Sequence, residues 1–64
     1  MYKKCSVCPK SGDWYNLGGN AFTYELKDGA IVINCYDEFS SLASVVYTQI
    51  YSLRMIDNVE FRND

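Results

Sequence analysis

Apolar and polar positions alternate most regularly between residues 21 and 36. In AFTYEL, Phe22, Tyr24 and Leu26 fall on one side and Ala21, Thr23 and Glu25 on the other, which is the period of two of an extended strand. Lys27, Asp28 and Gly29 follow, and Asp-Gly is the signal of a tight hairpin, so the next run, AIVINCY, is expected to pair antiparallel with AFTYEL. That run is apolar on both faces, with Ile31, Ile33 and Cys35 on one side and Ala30, Val32, Asn34 and Tyr36 on the other, as befits a central strand. DWYNL, ended by Gly18, Gly19 and Asn20, reads as a shorter strand. VEF, with Val59 and Phe61 on one face, reads as an edge strand over 58–62.

After Tyr36 the period changes. Between Asp37 and Met55 the apolar residues Phe39, Ala43, Val46, Ile50 and Leu53 recur at spacings of four, three, four and three, the repeat of one helical face. Leu42 and Val45 widen that stripe, and Ser40, Ser41, Ser44, Thr48 and Ser52 line the other side. Asp37 suits the N-cap, Glu38 the positive helix end and Arg54 the negative end. At about 1.5 Å per residue such a helix is nearly 30 Å long and spans a small domain. The expected order is β-β-β-α-β. This is an α+β domain with a cysteine knuckle loop over 1–12, antiparallel strands over 13–36, a helix over 37–56 packed across the sheet, and the edge strand.

With 64 residues the chain has room for one modest core, and domains of this size gain stability from a metal, a disulfide or a partner. A composition 48% hydrophobic and 22% charged is that of an ordered globular protein. No apolar run is long enough to cross a bilayer, and MYKKCSVC lacks the apolar segment of a signal peptide, so the chain reads as cytoplasmic. The net charge of −2 disfavours general attraction to nucleic-acid backbones, although Lys3, Lys4 and Lys10 gather near the first cysteines. Histidine is absent, which removes the commonest general base and the partner of a nucleophilic Ser or Cys, and the chain is not expected to be an enzyme.

The chemically specific pattern is Cys5-x-x-Cys8 with Cys35. Two thiols separated by two residues in a turn can aim both sulfurs at one ion, and Pro9 and Gly12 suit such a knuckle. Cys35 supplies a third sulfur. Asp37, two residues on, falls on the same side if the strand keeps its period, and completes a structural zinc site of Cys5, Cys8, Cys35 and Asp37, with Asp13 as a substitute. Free or buried thiols explain the same residues without a metal, and a disulfide or redox role fits poorly with three cysteines in a cytosolic chain.

Six tyrosines and Trp14 exceed what so small a core hides. Tyr47 and Tyr51, four apart on the expected helix, form an aromatic ridge suited to a protein interface, with Trp14 and Glu38 as further contact candidates. The competing use is a zinc-knuckle module that binds single-stranded nucleic acid, with bases stacked on sheet aromatics and Lys3, Lys4 and Lys10 taking part. In size, in composition and in Cys5, Cys8 and Cys35, the chain resembles the metal-stapled members among the small phage-encoded anti-CRISPR proteins. That resemblance implies a stoichiometric inhibitor that binds a CRISPR effector nuclease and prevents target DNA from loading, with zinc holding the fold.

Overall fold

The computed structural model describes residues 1–37 and 44–64, and among these there is no helix. The described residues form six strands: β1 (Lys4–Pro9), β2 (Tyr15–Asn16), β3 (Phe22–Lys27), β4 (Ala30–Tyr36), β5 (Val45–Ser52) and β6 (Ile56–Arg62). They make two antiparallel three-stranded sheets, in the orders β2-β1-β6 and β3-β4-β5. The α+β expectation with a long helix is thereby corrected to an all-β fold. Of the expected helical stretch, residues 45–52 are extended as β5, and Glu38, Phe39, Ser40, Ser41, Leu42 and Ala43 lie outside the described residues.

The physical reason lies in the side chains. Val45, Val46, Tyr47, Thr48, Ile50 and Tyr51 are β-branched or aromatic, which pack well on a pleated surface and lose rotamer freedom in a helix. The expected N-terminal loop is corrected as well. Lys4, Cys5, Ser6 and Val7 alternate polar and apolar, and β1 runs as the central strand of its sheet. Pro9, which cannot donate to a ladder, sits at the end of β1 where the register against β6 shifts.

The hairpin of β3 and β4 turns at Asp28 and Gly29, whose φ angles of 53° and 74° are the pair of left-handed residues that a two-residue type I′ turn requires. Opposed residues share a face, so Phe22, Tyr24 and Leu26 of β3 stand beside Cys35, Ile33 and Ile31 of β4, and these beside Tyr47, Gln49 and Tyr51 of β5. In the other sheet, Cys5 and Val7 stand beside Phe61 and Val59 of β6. The two inner faces close on one core of Cys5, Val7, Phe22, Ile31, Ile33, Cys35 and Ile56, with Leu17, Tyr47, Tyr51, Val59 and Phe61 packed against it. A bridge ties the sheets at one corner, where the Tyr2 and Phe22 amides each donate to the other's carbonyl, at 2.8 and 2.7 Å.

Gly19 lies against the core at the same end, beside Phe22 and Cys35. Its φ of +130° is open to glycine, and a Cβ there would collide with the Cys35 sulfur. No helix of the described residues is long and apolar enough to cross a membrane.

Candidate interaction surface

The thiols and tyrosines at the inner face hold the core shut. Cys5 and Cys35 are buried, reaching it from opposite sheets. Burial pushes the Cys5 thiol up to about 11. Cys35 donates from its sulfur to the Gly18 carbonyl at 3.6 Å, and the Tyr47 hydroxyl donates to that same carbonyl. The Tyr47 phenol is pushed up to about 12, first by burial and then by Cys35 beside it. Tyr51 accepts a hydrogen bond from the Tyr15 hydroxyl at 2.9 Å, and its phenol is likewise raised, by burial before that bond.

Of the residues expected to share a metal, Cys5 and Cys35 meet in one core, and Cys8 and Asp37 lie outside it. In an extended strand, positions three apart project to opposite faces, so Cys5 points into the core while Cys8 lies on the other side of β1, its sulfur near the Pro9 and Gly12 carbonyls. Asp37 is exposed beyond the end of β4, and its amide donates to the Ser44 carbonyl at 3.3 Å. The register shift between Cys35 and Tyr36 interrupts the period of two that would have aligned Asp37 with Cys35. The substitute ligand Asp13 is exposed, and among the described residues no three Cys, Asp or Glu side chains are grouped to hold a metal ion.

Tyr47 and Tyr51 do share a face, but it is the inner one, where both are half-buried at the core edge. Trp14 is exposed immediately before β2, and Glu38 lies outside the described residues.

The surface left open is the outer side of the β3-β4-β5 sheet, at its β5 edge. Across β4 and β5, Val32 opposes Ile50 and Asn34 opposes Thr48. Ile50 is 67% exposed and Val46 62%, with Val45 also exposed and Leu53 and Met55 exposed just past the strand. Val46 has no opposite number on β4, because the register passes from Cys35–Tyr47 to Tyr36–Val45. Sequence reasoning assigned Val46 and Ile50 to a buried helical stripe and so missed them as surface residues. The signal that finds them is the density of β-branched residues in β5.

Two lesser features accompany this surface. Tyr2, Tyr24 and Phe61 form a ring cluster, Tyr24 and Phe61 stacked with centroids 4.6 Å apart, assembled by the corner bridge that no local pattern announces. A cavity of about 270 Å³ is lined by Lys4, Cys5, Asn16, Leu17, Gly19 and Arg62. Its cationic character is offset by Glu60 and Asp64, which lie 3.3 and 3.8 Å from the Arg62 guanidinium. No protein-family model, curated protein or solved structure matches the chain.

Proposed function

We propose that this chain is a protein-binding module that offers the β5 edge, and the outer face beside it, to an extended segment of another polypeptide. The observation that carries the reading is the exposure of Val46 and Ile50 on an edge strand without a charged residue. An unpaired edge presents a row of amides and carbonyls to any strand that approaches, and alternate side chains then select the partner.

A random-peptide display library panned on the purified protein tests this. Enriched peptides should alternate β-branched or aromatic residues with polar ones, and should lose at least about tenfold in affinity to V46K/I50K, because each lysine would bury beside an apolar side chain. Peptides that bind the variant equally well would remove the β5 edge from the reading. The inhibitor suggested by resemblance is a special case, in which the occupant belongs to a CRISPR effector nuclease. It predicts a stoichiometric complex with the purified effector and loss of target-DNA loading, both weakened by V46K/I50K.

A second reading has its own observation. It is the stacking of the Tyr24 and Phe61 rings, centroids 4.6 Å apart, which resembles the aromatic platform that single-stranded nucleic acid uses. It predicts salt-sensitive binding of an oligonucleotide that Tyr24→Ala abolishes. Unchanged fluorescence anisotropy of a labelled oligonucleotide at low salt would eliminate it.

A further inference from the structure

Sheet edges are places where chains aggregate, and proteins blunt them with short strands, charges and bulges. Three of the four edges here are blunted: β2 has two residues, β3 carries Glu25 and Lys27, and β6 carries Asp57, Glu60 and Arg62. β5 is different. It has eight residues and no charge, it pairs with β4 alone among the described strands, and from Tyr47 to Ser52 its register is uninterrupted.

The sequence of β5 also complements itself. In an antiparallel pair, two directly opposed residues aim their amides either both toward or both away from one another, and this alternates along each strand. Two copies of β5 can therefore oppose only positions of equal parity, which centres the pairing on a single residue. Centred on Tyr47, the pairing sets Val46 against Thr48 and Ile50 against Ser44. Centred on Gln49, it sets Ile50 against Thr48 and Val46 against Ser52. Centred on Thr48, it sets Val46 against Ile50 of the second copy, Ile50 against Val46, and Thr48 against Thr48. Centring on Val46 or Ile50 also sets like against like but slides the strands so that fewer residues of β5 overlap, so the Thr48 register is the one that pairs both Val46 and Ile50 with an apolar partner within the strand.

Resting on the binding reading above, we infer that the occupant of the β5 edge is β5 of a second copy, paired antiparallel about Thr48. The result is a twofold dimer with one continuous six-stranded sheet. The self-complementary contact is the kind that a twofold axis requires, since the same patch serves both protomers. On its outer face each row then runs Val32, Ile50 and Val46 of the second copy, because Val32 already opposes Ile50 within the protomer. The contact is small, of the size class of weak, transient association.

The test is a charge exchange read by sedimentation velocity on the whole chain from low to high micromolar concentration. Wild type should move from monomer to dimer. V46K/I50K and V46E/I50E should each weaken dimerisation at least about tenfold, because like charges then oppose across the axis, and an equimolar mixture of the two should recover a heterodimer. V46E/I50K, which sets opposite charges against each other in this register alone, should dimerise by itself. Far-UV circular dichroism like that of wild type confirms that each variant is folded.

A monomeric wild type overturns the inference, as does a dimer indifferent to V46K/I50K or a mixture that stays monomeric. If the wild type is monomeric yet the displayed peptides still bind in a way that V46K/I50K destroys, the second copy is wrong and the binding edge stands. If neither effect is seen, both fail.

Discussion

Gly19 is the residue least replaceable by anything larger. Its φ of +130° strains any side chain, and a Cβ would meet the Cys35 sulfur and lie 3.3 Å from the Phe22 ring, both inside the core. Gly19→Ala is expected to cost about 2–4 kcal/mol, whereas Gly18→Ala, with no heavy atom within 4 Å of the added carbon, should stay within about 0.5 kcal/mol. Urea midpoints of the two variants decide this, and equal midpoints would refute the placement of Cys35 beneath Gly19. The buried Cys5 thiol sets a pH dependence. An acid whose folded pKa exceeds its unfolded value keeps its proton longer in the native state, so its contribution is intact at low pH and lost as the unfolded chain ionises first. For Cys5, displaced from 9.0 to about 11, stability should be flat below about pH 9 and fall as pH rises through about 11. Tyr47 and Tyr51 act in the same direction above the ordinary tyrosine range. Denaturant titrations across this window check it, and in Cys5→Ala the fall should begin later.

At the scale of elements, β5 shows what the sequence made legible and what it concealed. A spacing of four places two residues on one face of a helix, but four is even, so it also places them on one face of a strand. Val46 with Ile50 and Tyr47 with Tyr51 satisfy both geometries. The spacings of three that distinguish a helix involve Ala43, outside the described residues, and Leu53, beyond the end of β5. Inside the strand only the ambiguous spacing remains, and β-branched composition decides. Cys5 and Cys8 depend on the backbone in the opposite sense, because a separation of three that brings two side chains together in a turn sends them to opposite faces in a strand. By contrast, the alternation of AFTYEL and AIVINCY and the Asp28–Gly29 turn gave the β3–β4 hairpin directly. Substitution measures the difference. Ile33→Ala, at a fully buried position on β4, should cost about 2–5 kcal/mol, while Ile50→Ala at low protein concentration should change stability by less than about 1 kcal/mol. A buried helical stripe would make the two comparable.

At the scale of the whole molecule, two small sheets close on a core in which Phe22, Ile33, Val7 and Cys5 are the largest fully enclosed side chains among the described residues. Such a core leaves little margin, and chains of this size commonly add a metal, a disulfide or a second subunit. Among the described residues the cysteines are divided between the core and the far side of β1, and β5, the longest described strand, is an uncharged edge, where the second subunit proposed above would add to that margin. Amide hydrogen exchange along residues 45–52, followed by NMR in wild type and V46K/I50K, tests this account most directly. In the variant, protection should alternate through 47–52, falling on the amides that point to β4 and not on those that point outward. In concentrated wild type both sets should be protected. Continuous protection in the variant would restore a helix there, and identical patterns in the two proteins would mean that no strand occupies the β5 edge.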